Sequence, residues 1–100
     1  MEKRYSPDQI RFEMMNTSEI RETFLIEDLF AAGEVGMIYS DIDRVIVGSA
    51  VPTDSALSLE AGKELAAEYF AQRRELGVIN IGGDGAVVVD GTEYPMVKLD

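Results

Sequence analysis

A chain of 100 residues, 46% apolar and 28% charged, is long enough for one hydrophobic core and too short for two; a domain this small buries about two-thirds of its unfolded surface. Nineteen acidic against nine basic residues leave a net charge of −10, which repels phosphate backbones and anionic headgroups and argues against nucleic acid and membrane surfaces as partners. Cysteine and histidine are both absent, so no disulfide, thiolate nucleophile, His general base or His-ligated metal can be built from this chain alone. No apolar run approaches the roughly 18 residues that span a bilayer, and Met1–Tyr5 leads into polar sequence rather than a signal-peptide core. The expectation is a soluble, cytoplasmic protein.

The first residues carry helix punctuation. Ser6-Pro7-Asp8-Gln9 offers a capping hydroxyl, Pro at the first helical position and an acid beside the positive end of the dipole, which predicts a short helix over 7–15. Asn16 and Thr17, with Glu19 behind them, predict a second over 18–23. From Phe24 the rhythm becomes that of an all-β sandwich or small barrel. Phe24–Ile26, Met37–Tyr39, Val45–Val47 and Ala56–Leu59 are short apolar or alternating runs punctuated by Gly33, Gly36, Gly48, Pro52 and Asp54. Apolar residues at consecutive positions in Arg44–Gly48 predict a strand covered on both faces. Residues 60–71 are ambiguous by propensity, helix-like over Ala61–Ala66 and strand-like from about Glu68. Leu76–Ile81 reads as a strand, Gly82–Gly85 as a tight loop, and Ala86–Val89 as a strand. Asp90-Gly91 is the central pair of a type I′ turn, and Thr92–Leu99 returns antiparallel. Pro95 cannot donate to a ladder, so that strand belongs at an edge or carries a bulge. The division expected is a helical segment over 1–23 and a β domain over 24–100. The chain stops at Lys98-Leu99-Asp100 directly after a predicted strand, which suggests a longer protein.

Few motifs point to chemistry. The loop Gly82-Gly83-Asp84-Gly85 is dense enough in glycine to approach an anion, but a dinucleotide fingerprint needs a helix after it, and Val87–Gly91 says strand and hairpin. Arg73-Arg74-Glu75, beside Tyr69 and Phe70, is a compact charged cluster able to clamp a carboxylate or to pair across a subunit contact. Asp41, Asp43 and Arg44 form a second such cluster. No pair of carboxylates is placed to argue glycoside hydrolysis.

One spacing goes further. Gly62, Glu68, Phe70, Glu75 and Gly82 fall at the intervals of the first cupin motif, G-x5-H-x-H-x4-E-x6-G, with both histidines replaced. Phe70 has no lone pair for a metal, so the motif keeps the scaffold and not the metal site. Phe24–Glu27, Tyr39–Gly48 and above all Tyr69–Gly83 resemble the N-terminal region of the 5-keto-4-deoxyuronate isomerases, with Asp41 standing where that family commonly has His.

The resemblance implies a mainly β, cupin-like sandwich or barrel, incomplete, with one or two short N-terminal helices. It implies part of a ketol-isomerase of pectin and uronate breakdown that interconverts 5-keto-4-deoxyuronate and 3-deoxy-D-glycero-2,5-hexodiulosonate. In that family zinc is held by His and Glu side chains of a C-terminal cupin, outside these residues. No cofactor and no catalytic residue is therefore expected within this chain, which is scaffold and assembly surface, inactive alone. Its expected partners are the remainder of the bicupin enzyme, further copies of itself in a homo-oligomer (a hexamer in the family), and a small uronate substrate. Tyr69, Arg73, Arg74 and Glu75 are the candidate substrate or subunit contacts. Two alternatives remain at this point: a standalone binding module with a degenerate pocket of Glu68, Phe70, Arg73 and Glu75 for a small sugar acid, and a relative of the 5-deoxyglucuronate isomerases of inositol catabolism.

Overall fold

The computed structural model describes residues 1–60 and 70–100. They form two compact units, Met1–Phe70 and Ala71–Asp100. The architecture is mixed, with two short α-helices, a three-stranded sheet and a two-stranded sheet, and no closed barrel among the described residues. The two short helices near the N-terminus are those expected, and the strands form two small sheets.

In the first unit, β1 (Glu2–Arg4) runs parallel to β2 (Val35–Ser40), which pairs antiparallel with β3 (Ile46–Ala50). The register places Arg4, Gly36, Ile38 and Ser49 on one face. The connecting segment from Leu25 to Leu29 is tied to both edges of that face. Arg4 donates to the Leu25 carbonyl, and the Ser49 hydroxyl donates to the Leu29 carbonyl at 2.5 Å. Ile38, on the strand between them, is the one buried residue among those described in this unit, 7% exposed, and its burial stabilises by about 1.5–3 kcal/mol. Gly36 is required at this crossing because a Cβ there would stand 2.9 Å from the Leu29 carbonyl oxygen. On the opposite face a Cβ at Gly48 would meet Met37 Cγ at 2.8 Å and the Gly36 carbonyl oxygen at 2.9 Å.

Helix α1 (Gln9–Glu13) is shorter than the span 7–15 suggests, and Asp8 caps it in place of Ser6, accepting from the Arg11 amide at 2.8 Å. The reason is remote: Ser6 gives its hydroxyl to Asp41 at 2.9 Å. Helix α2 (Thr17–Phe24) opens on the expected cap at Asn16, here a full capping box, with Asn16 accepting from the Glu19 amide at 2.9 Å and Glu19 accepting from the Asn16 amide at 3.3 Å. The two helices meet edge to face through Phe12 and Phe24, ring centroids 6.0 Å apart. Among the described residues no helix is long and apolar enough to cross a membrane.

Several expected strands do not form. Phe24 closes α2, and Phe24–Ile26 and Ala56–Leu59 contain no strand. The run Val45–Val47 is only partly in β3, the outer strand of its sheet among the described residues, and it is not covered on both faces, Val47 being 41% exposed. The helix-like stretch Ala61–Ala66 lies outside the described residues, as do Glu68 and Tyr69; Phe70–Arg73 form a turn where a strand was expected.

In the second unit β4 (Gly85–Val89) and β5 (Thr92–Met96) make a hairpin. Asp90 at φ 50° and Gly91 at φ 81° give the pair of positive angles that a type I′ turn demands. Leu76–Ile81 is not a strand. Its order comes from Asn80, whose amide donates to the Asp100 carbonyl at 2.9 Å and whose carbonyl accepts from the Leu99 amide at 2.5 Å. The antiparallel return therefore ends at Met96, and the last residues fold back on Asn80 rather than extending β5.

Candidate functional site

Asp41 and its neighbours form the better defined of the two charged clusters. Parallel pairing of β1 with β2 brings Arg4 beside Ser40, and the Asp41 amide continues that ladder by donating to the Arg4 carbonyl at 3.1 Å. Asp41 Oδ1 then accepts from both the amide and the hydroxyl of Ser6, each at 2.9 Å. The following residues form a 3₁₀ helix, Ile42–Arg44, in which Asp43 and Arg44 take the left-handed conformation at φ 52° and 53°. The Ser40 hydroxyl accepts from the Ile42 amide at 3.2 Å, and the Ser40 amide donates to the Val45 carbonyl at 2.9 Å. The Asp41 carboxylate thus fastens the N-terminal segment to the β2–β3 connection, a structural role.

The second cluster sits on a turn. Arg73 and Glu75 are exposed and Arg74 is half-buried, its amide donating to the Ala71 carbonyl at 3.4 Å. Tyr69, the remaining candidate contact, lies outside the described residues, so the structure places three of the four on one stretch, Arg73 and Glu75 exposed and Arg74 half-buried.

A depression that the sequence reading missed lies at the two helices, lined by Asp8, Ile10, Arg11, Met14, Met15 and Glu19. Its signal was available in Met14-Met15 between two cap acids. Both acids accept cap hydrogen bonds, Asp8 from the Arg11 amide and Glu19 from the Asn16 amide. Among the described residues no group of three or more acidic side chains is gathered closely enough to hold a metal ion.

No family model matches the chain. Individual relatives do. It is 49% identical over all 100 residues to the 4-deoxy-L-threo-5-hexosulose-uronate ketol-isomerase of Caldicellulosiruptor bescii, covering 36% of that protein. It is 56% identical over 84 residues, 84% of this chain and 30% of the relative, to the enzyme of the same name from Lachnoclostridium phytofermentans. To that of Halalkalibacterium halodurans it is 44% identical over 100 residues, again 36% of the relative. The chain spans about a third of the length of the curated relatives it matches.

Proposed function

Because this chain is homologous along its length to the N-terminal portion of the 4-deoxy-L-threo-5-hexosulose-uronate ketol-isomerases, we propose that it serves as scaffold and assembly surface of such an enzyme, without a catalytic centre of its own. The observation that carries this reading is the pairing of full coverage of the chain with 36% coverage of the relative. The absence of histidine agrees with it, as does the apolar surface left open: Ile10, Phe30, Ile79, Val88 and Leu99 are each at least 60% exposed. A protein of this size ordinarily hides such residues.

The reaction would convert 5-keto-4-deoxyuronate to 3-deoxy-D-glycero-2,5-hexodiulosonate by moving a proton between adjacent carbons. Zinc, implied by the resemblance, does not fit this chain: imidazole and thiolate donors are absent from the sequence, and no three described carboxylates are gathered closely enough to hold it. The metal and the proton-transfer groups therefore belong to the remainder of the enzyme. On this reading residues 24–100 contribute part of a cupin-like β domain preceded by the helical segment 1–23, in a cytoplasmic homo-oligomer. Tyr69, Arg73, Arg74 and Glu75 lie at a substrate or subunit contact. The identity to uronate ketol-isomerases favours that branch over the 5-deoxyglucuronate isomerases.

A chimera tests the proposal. With this chain in place of the matching segment of the Caldicellulosiruptor bescii enzyme, the product should fold, bind zinc and isomerise the uronate, whereas the 100-residue chain alone should do neither of the last two. Turnover by the isolated chain, or a folded and zinc-loaded chimera without activity, defeats the reading.

A further inference from the structure

Two aspartates of this chain are followed by glycine, in Asp84-Gly85 and Asp90-Gly91, and the hairpin places the two glycine amides differently. Residues flanking a two-residue turn exchange both their hydrogen bonds, so Val89 and Thr92 form a hydrogen-bonded pair, and alternation along the register makes Val87–Tyr94 and Gly85–Met96 two more. The intervening pairs, Ala86–Pro95 and Val88–Glu93, turn their backbone groups to the outer edges, where Pro95 has no N–H to offer. The Gly85 amide is therefore committed to the ladder and donates to the Met96 carbonyl. The Gly91 amide lies in the turn, beyond the last pair, and among the described residues it donates to no acceptor. Both dipeptides are exposed, and nothing stands within 4 Å of the position a Cβ would take on either glycine. The amide hydrogen bond is what separates them.

A glycine amide after an aspartate is the nucleophile of an internal ring closure, because no side chain blocks its approach. The nitrogen attacks Cγ of the aspartic acid and a C–N bond forms. The carboxyl C–O bond breaks, and its hydroxyl leaves as water with the proton of the nitrogen. Water then opens the five-membered imide. Opening at the side-chain carbonyl restores aspartate, whereas opening at the main-chain carbonyl leaves the chain running through Cβ and Cγ as isoaspartate, with no change in mass. A nitrogen held in a ladder must first be released by local opening, and a nitrogen without a partner need not.

We infer that Asp90 is a site of spontaneous isoaspartate formation and that the same dipeptide at Asp84 is held back by its ladder bond. The product adds one backbone carbon between Val89 and Thr92, where a two-residue type I′ turn has no room for it, so each event opens the hairpin from its tip. This inference concerns the hairpin and stands independently of the isomerase reading.

Incubation of the 100-residue chain for weeks in mildly acidic buffer tests it, once folded and once in urea, with the folded hairpin verified by cross-strand nuclear Overhauser contacts between Val87 and Tyr94. Electron-transfer fragmentation of the digested chain locates each isoaspartate. The folded chain should carry about tenfold more at position 90 than at position 84, the factor by which ladder opening limits the second site. In urea the two sites should react alike, and the modified fraction of the folded sample, once separated, should have lost the Val87–Tyr94 contacts. A folded chain that reacts equally at both sites, more at position 84 or not at all overturns the inference. So does a preference for position 90 undiminished in urea, or a modified fraction that keeps those contacts.

Discussion

The side-chain amide of Asn80 donates to the carbonyl of Met96 at 3.2 Å, joining the end of β5 to a segment sixteen residues earlier. The same amide donates to the Gly83 carbonyl at 2.8 Å, and Asn80 Oδ1 accepts from the Gly82 amide at 3.0 Å. With its two backbone bonds to Leu99 and Asp100, this half-buried residue organises the second unit in place of an apolar core. Asn80→Ala should cost about 1–3 kcal/mol, since it strands polar partners that no neighbour replaces. Hydrogen exchange checks this: the Gly82 amide should lose protection while the β4–β5 ladder keeps it.

Asp41 and Ser6 are predicted to couple. Asp41→Ala and Ser6→Ala should each destabilise the first unit by about 0.5–1.5 kcal/mol, and the double variant should lose less than the sum. Thermal unfolding of the four proteins measures the coupling. Strict additivity would show that the bond does not hold the N-terminal segment.

Gly36 and Gly48 should tolerate no side chain. Alanine at either forces a Cβ to within 3 Å of a backbone oxygen, and the expected loss is about 1–3 kcal/mol by denaturant unfolding. Gly77 and Gly83 have nothing within 4 Å of the added atom and no positive φ. Alanine there should be neutral or stabilise by about 0.4–1 kcal/mol through the unfolded chain.

In the active chimera, Arg73→Ala should raise KM about tenfold, the loss of one charge-assisted contact, or should loosen the oligomer if Arg73 faces a subunit. Unchanged kinetics and unchanged mass together remove Arg73 from the contact.

What could be read from the sequence was what is decided nearby. The Asn16 helix cap and the Asp90-Gly91 turn are set by residues three apart or adjacent, and both formed as expected. Ser6 was misread because its competitor for the hydroxyl, Asp41, is 35 residues away. The three-residue β1 escaped notice because Glu2-Lys3-Arg4 carries no apolar signal and exists through its pairing with β2. Leu76–Ile81 has the composition of a strand, but a strand also needs a neighbour, and among the described residues none pairs with it. For the site, the sequence singled out Arg73, Arg74 and Glu75, and the structure places them at and just after a turn, with Arg73 and Glu75 exposed. It could not foresee that the Asp41 carboxylate would be consumed by Ser6.

Pro95 also limits what the hairpin can build. The outer side of β5 is short of one donor, so strands cannot stack there without a gap, and a concentrated solution of this chain should stay clear where two fully receptive sides would let strands stack into fibrils. Replacing that single ring by valine would open the second side, and amyloid-dye fluorescence rising over days would record the difference.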